Sequence, residues 1–230
     1  MARRTKQAAE ETRSALLDSA ERLFSERGVS RTSLADIAGS AGVTRGAVYW
    51  HFTNKADLFE AMLRRVTLPM DEAIAAEAIA GRARDPLGAV RDCMFTVLHK
   101  TATDPRAQRV FEIVCHKCEY VDEMDAVRAR YTEMREQWLA EMEKDFRAAV
   151  RAGQLPRSLD TRFAAVAAHA FIDGLINSWL IDTRFFPLKR DAGRLVDLFL
   201  AGLASKGAGA KAETKAAAGK KSTARKPAAR

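Results

Sequence analysis

The stretch AGVTRGAVYWHFTNKADLF, residues 41–59, sets a glycine turn, an arginine, two adjacent aromatics and a histidine inside one short run. A helix that only filled a core would not need Tyr49, Trp50 and His51 side by side behind Arg45 and Gly46. The spacing predicts two short helices joined by a glycine-containing turn, residues 33–41 and 45–51, which is a helix-turn-helix. In that arrangement Arg45 stands at the start of the second helix, where a guanidinium can pair bidentately with guanine O6 and N7 in the major groove. Gly46 lets the backbone approach the duplex. Tyr49, His51 and Lys55 can reach phosphates, Trp50 completes the aromatic face, and Thr32 and Thr44 offer hydroxyls at helix N-termini. These eight residues are the candidate DNA-binding set.

A second group of residues invites small-molecule chemistry. Asp173 is the sole charge in the apolar run 163–180, and a buried carboxylate is costly unless it is paired. His169 lies one turn earlier, so Asp173 either forms a satisfied pair with it or stands in a pocket wall and meets a ligand. Phe111 and Cys115, four apart, could form a facing wall, with Cys93 and Val97 from the helix before. Cys115, His116 and Cys118 also suggest a metal or a thiol switch. A closed zinc site wants four ligands, however, and packing or pocket lining is the preferred reading. No glycine-rich phosphate loop and no nucleophile motif is present. The expectation is a protein with no catalytic residue, no metal and no cofactor.

The elements that must position these groups read as all-α. Ala, Leu, Arg and Glu dominate, Pro and Gly are few, and apolar residues recur at i, i+3, i+4 rather than alternately. About nine helices result, the first three short and those past Gly81 longer. Thr32 or Ser33 caps the second and Thr44 the third. Asp85-Pro86 and Asp104-Pro105 each open a helix, and Ser158 caps the apolar one. The net charge of +8 is unevenly spread: +3 over residues 1–70 (11 basic, 8 acidic), −2 over 71–204 (19 and 21) and +7 over 205–230 (8 and 1). The last segment has no large apolar residue and reads as a disordered basic tail. The middle has no bias toward nucleic acid. The N-terminus carries no secretory pattern, and three cysteines cannot all pair with one another. A central Asp costs a membrane helix roughly 3 kcal/mol, so a cytoplasmic protein without a membrane span is expected.

The run Gly42-Val43-Thr44-Arg45-Gly46-Ala47-Val48-Tyr49-Trp50-His51-Phe52, followed by Asn54-Lys55 and Leu58, resembles the N-terminal domain of the TetR family of bacterial transcriptional regulators. Leu23-Phe24, Gly28, Thr32-Ser33-Leu34 and Ile37-Ala38 match in register. Residues 3–6 and 11–13, Glu112-Ile113, His116-Lys117-Cys118-Glu119 and Ile172-Asp173-Gly174-Leu175-Ile176 are similar to the branch that represses multidrug efflux pumps, the AcrR and TtgR type. The resemblance implies a DNA-binding domain over residues 1–54, a ligand-binding and dimerisation domain over 55–204, and the tail over 205–230. It implies a homodimer on a palindromic operator, released by a hydrophobic small-molecule effector. It also places the helix around Asp173 beside a pocket, so Val66, Cys93, Val97, Phe111, Cys115, His169, Ile172, Asp173 and Ile176 are the candidate ligand-binding residues. Two other readings stay open: a family member sensing a metabolite or acyl thioester, and an architectural DNA-binding protein driven by the tail.

Overall fold

The structure is a computed structural model that describes residues 2–81, 85–118 and 125–205, and the basic tail falls almost wholly outside the described residues. Among the described residues there are nine helices and no strand. In chain order they are α1 (Ala2–Arg27), α2 (Leu34–Ser40), α3 (Arg45–His51), α4 (Lys55–Gly81), α5 (Pro86–Thr103), α6 (Pro105–His116), α7 (Asp125–Arg151), α8 (Thr161–Ile181) and α9 (Leu188–Ala204).

Local chemistry sets most of these boundaries. α1 stops at Gly28, whose φ of +86° suits only glycine without strain, and the α2–α3 turn passes through Gly42 at +69°. Ser33, not Thr32, caps α2. Its hydroxyl accepts from the Asp36 amide at 3.1 Å while the Asp36 carboxylate accepts from the Ser33 amide at 2.8 Å, a reciprocal capping box. Thr44 caps α3 by accepting from the Ala47 amide. Asp85 and Asp104 cap α5 and α6 ahead of Pro86 and Pro105, as the Asp-Pro pairs predict. The apolar α8 begins at Asp160 instead of Ser158, because the Asp160 carboxylate reaches the Phe163 amide at 2.9 Å.

The expectation of a short first helix is corrected: α1 runs 26 residues and α4 runs 27. Good helix formers precede the apolar face of α1 without interruption. α4 continues through Pro69, which cannot donate to the carbonyl four residues back.

Two apolar cores form. Leu16, Leu17, Phe24, Ile37, Val48 and Phe52 pack with Leu58, Phe59 and Met62 of α4, so the helix-turn-helix rests directly on α4. The buried residues of α6, namely Ala107, Val110, Ile113 and Val114, join this same core rather than the second. The second core gathers α5, α7, α8 and α9 around Met94, Leu98, Phe146, Ala165 and Val196. Truncating a fully buried aromatic such as Phe24 or Phe146 to Ala would cost about 3–5 kcal/mol.

Candidate DNA interface and ligand pocket

The buried side of α3 is Val48, fully enclosed, and the helix turns its other side chains outward. Trp50 is 73% exposed and Tyr49 49%. Arg45 is held over the Tyr49 ring, 5.7 Å from its centroid, with a guanidinium nitrogen 3.5 Å from the hydroxyl. The Trp50 and His51 rings meet edge-on at 4.6 Å. Burial, with Arg13 nearby, holds His51 below the usual imidazole range, so it is neutral near pH 7. Among the described residues, and leaving aside the backbone of α3 itself, the nearest group to a Cβ placed on Gly46 is the Thr44 hydroxyl at 3.9 Å, and its φ is ordinary. No internal packing requires glycine there.

Two of the eight candidate DNA contacts face inward. Thr32 is 1% exposed, and its hydroxyl donates to the Gly28 carbonyl at 2.8 Å. The Lys55 ammonium donates to the carbonyls of Val29 at 3.0 Å, Thr32 at 3.1 Å and Ser30 at 3.4 Å. The turn between α1 and α2 leaves these carbonyls without helical partners, and Lys55 gathers them from the first turn of α4. Both side chains are engaged within the turn. Thr44, Arg45, Gly46, Tyr49, Trp50 and, at the edge, His51 remain together on the outer face.

Beyond the helix-turn-helix, α4 to α8 enclose an open cavity of about 670 Å³. α5 supplies Cys93 and Val97, α6 supplies Phe111 and Val114, and α8 supplies His169, Ile172, Asp173 and Ile176. Seven of the nine candidate ligand residues therefore line one space. Val66 does not; it is buried in the first core with Met62 and Leu63. Cys115 is not among the lining residues either; it is exposed, one position past Val114 on the helix, and lies close enough to the cavity residues Asp173 and Tyr131 for their charges to interact. Crowding by neighbouring atoms and the charge of Asp173 push the Cys115 thiol up to about 11, so it is not a thiolate at neutral pH and is a poor redox switch. Among the described residues no three metal-binding side chains cluster.

The α7 wall was not read from the sequence as part of a site. Met134, Trp138 and Met142 line the cavity along a four-residue stripe, and Tyr131 and Arg135 add polar groups. Their period marks an inward face, but only the packing shows that the face meets a void. Asp173 is not a deeply buried carboxylate, since its side chain is 53% exposed to the open cavity. It sits 3.2 Å from His169 Nδ1, and the Trp138 ring meets His169 edge-on at 5.3 Å. Desolvation raises the Asp173 pKa, opposed by His169 and Arg135, and lowers that of His169, opposed by Asp173. A mainly apolar chamber with polar groups from α4, α7 and α8 suits hydrophobic aromatic molecules of varied shape.

Known proteins are similar to this chain over both halves. Residues 16–62 match the model for bacterial regulatory proteins of the tetR family, and residues 85–204 match that for the C-terminal region of MAATS-type transcriptional repressors. The chain is 43% identical over 201 residues to the HTH-type transcriptional regulator TtgR of Pseudomonas putida, covering 86% of this chain and 93% of that one. Its structure is similar to NalD, the secondary repressor of the MexAB-OprM multidrug efflux pump in Pseudomonas aeruginosa, with a TM-score of 0.75 and 38% identity over 86% of this chain and 98% of that one. It is similar also to the SmeT–triclosan complex, SmeT being the repressor of the Stenotrophomonas maltophilia pump SmeDEF, with a TM-score of 0.72 and 32% identity over 86% and 93% of the two chains. With α3 turned outward, a cavity among α4 to α8 and these matches over both halves, the chain belongs to the TetR family of bacterial transcriptional regulators.

Proposed function

We propose that the protein is a cytoplasmic repressor that binds a palindromic operator as a homodimer, controls a multidrug efflux pump operon and is released by hydrophobic aromatic compounds. The observation that carries this reading is the cavity: a mainly apolar space of about 670 Å³, with polar side chains from α4, α7 and α8, and walled in part by α6, whose buried residues pack into the core of the helix-turn-helix. A ligand that favours a conformation with displaced recognition helices must bind the DNA-bound form less well, and by linkage the two affinities change by the same factor. Arg45 reads a base, Gly46 admits the backbone of the duplex, and Thr44, Tyr49, Trp50 and His51 contact phosphate and sugar.

The dimer rests on the outer faces of α8 and α9. Phe163, Ile181 and Leu198 are each more than 70% exposed, and Val166 is also open to solvent. α8 is long and apolar enough to cross a membrane by length and composition, but it packs along α7 and carries His169, Asp173 and Asn177. We read its exposed side as the surface a second copy covers, which sets two recognition helices about a twofold axis. The repressor acts by binding alone, without enzymatic chemistry.

The test uses a duplex selected on the protein and follows its binding by fluorescence anisotropy as triclosan is added. Release of the duplex at micromolar triclosan, with one protected palindrome in footprinting, is the expected result. Binding that ignores triclosan and a panel of aromatic compounds would overturn the release mechanism.

A further inference from the structure

The chain leaves α9 at the end of the molecule away from the recognition helix. α9 runs antiparallel to α5: the Asp197 carboxylate accepts from Arg91 at 2.6 Å, while Gly193, one turn earlier on α9, lies against Arg91 and Phe95, the latter one turn further along α5. Ser205, two turns past Asp197, therefore stands at or beyond the level of Pro86, where α5 begins. The last residues of the α7 arm share this end, since the Leu87 amide donates to Gln154 Oε1 at 3.0 Å. The opposite end of α5 leads directly into α6, which packs on α1, and α1 in turn packs on α3.

That placement limits what the residues after Ser205 can touch. α5 is 18 residues long, about 27 Å, and the layers of α6, α1 and α3 beyond it add about 20 Å, so the outward side of α3 lies about 45–50 Å from Ser205. A fully extended chain covers at most about 3.6 Å per residue. Lys206, Lys211 and Lys215 therefore end at most about 36 Å from Ser205 and fall short of DNA held by α3 in any conformation. Lys220 and Lys221 reach that DNA only from an almost straight chain. The composition nonetheless points to a phosphate backbone as partner. Residues 206–230 carry eight basic side chains and one acidic, with no aromatic or large apolar group to stack on a base. The carboxylates at this end of α5 and α9 are already engaged, Asp85 with the Gly88 amide and Gln154, Asp92 and Asp197 with Arg91.

We propose that residues 206–230 are a second, sequence-independent DNA-binding element that holds a separate duplex at the end of the protein opposite α3. A protein seated on its operator then carries another DNA segment, joined to it only through phosphate contacts. The joining of two duplexes rests on the operator-binding reading above, while the capture of DNA by residues 206–230 stands on their charge and on where α9 ends.

The test keeps the full chain and replaces all eight basic residues of 206–230 with Gln. An operator duplex is fixed to beads and loaded with one dimer per duplex, and a fluorescent duplex of unrelated sequence is added. At about 50 mM salt the unmodified protein should retain the second duplex at least about tenfold better than the Gln variant. Its affinity for that duplex should fall about 10³-fold or more by about 200 mM salt, the loss expected for six or more phosphate contacts. Operator affinity and its salt dependence should be the same for both proteins. Equal retention by the two proteins would overturn the proposal. So would an operator salt slope that flattens by several units in the Gln variant with no second duplex retained, because residues 206–230 would then lie along the operator itself. If neither protein binds any operator, the repressor reading fails. Binding of the unrelated duplex by the free proteins, present in the unmodified chain and lost in the Gln variant, then decides the second element alone.

Discussion

Replacing Lys55 by Met separates two roles that the residue could play. The substitution keeps most of the aliphatic stem and removes the ammonium, whose bonds to Val29, Thr32 and Ser30 measure 3.0, 3.1 and 3.4 Å. Hydrogen bonds to a charged group contribute about 1.5–3 kcal/mol each. The two shorter bonds, taken at the low end because the half-buried ammonium gives up hydration to make them, sum to about 3 kcal/mol. For a chain of this size that corresponds to a melting temperature lower by about 6–12 °C. Loosening the turn ahead of α2 should also weaken operator binding, because α2 and α3 lose their fixed approach to α4. The slope of log affinity against log salt should be unchanged, since no phosphate contact is lost. A lysine that neutralised phosphate would behave in the opposite way, with the slope flatter by about 0.9 and the melting temperature intact. Thermal unfolding followed by circular dichroism, with operator titrations at four salt concentrations, measures both. A slope change without a melting change would refute the clamp.

Arg45→Ala should weaken operator binding by about 1–3 kcal/mol and relax preference at one base position per half-site; equal losses on operator and scrambled duplexes in anisotropy titrations would remove its base-reading role. Asp173→Asn should leave DNA affinity without ligand unchanged and weaken a cationic aromatic ligand by about 1 kcal/mol, roughly fivefold, because the carboxylate is half-exposed and screened. Triclosan affinity should hardly move, as calorimetry would show. The Asp36 carboxylate, held below its ordinary pKa by the Ser33 hydroxyl and amide, contributes stability that is full above the ordinary carboxylate value and lost as pH falls through the lower folded one. The stability difference between the unmodified chain and Asp36→Asn, measured by urea unfolding from about pH 7 to about pH 2, should therefore disappear at the acid end. A difference that grows in acid would contradict the capping geometry.

Much of the molecule was legible in the chain because it is built from local rules. Apolar spacing marked the buried faces of α1 and α2 at Leu16, Leu17, Leu23, Phe24, Ile37 and Ala38. The Asp-Pro pairs and the glycines at 28 and 42 marked helix starts and stops, since capping and left-handed turns depend on one or two neighbouring residues. The residues that α3 presents outward were legible for the same reason: a helix that buries Val48 must turn Arg45, Tyr49 and Trp50 away from it.

Side-chain type alone does not say where a polar tip ends. Lys55 and Thr32 have the chemistry to meet phosphate, and both are turned inward by carbonyls that only the meeting of the α1–α2 turn with α4 leaves in need of donors. Cys115 and Val114 are adjacent on one helix, yet only Val114 lines the cavity, because their directions on α6 differ by roughly 100°.

The sequence by itself determined that the chain is helical, where several of its helices begin and which short helix turns its polar side chains outward, because each depends on residues within about one turn of one another. Tertiary structure decided the rest. It turned the stripe Met134, Trp138, Met142 into the wall of a cavity, exposed half of Asp173 to that space, and brought Glu21 together with arginines 44, 85 and 88 positions further along the chain. No local pattern encodes those meetings. A void and an ion cluster exist only where separate helices converge, and the helices converge because their apolar faces must share two cores.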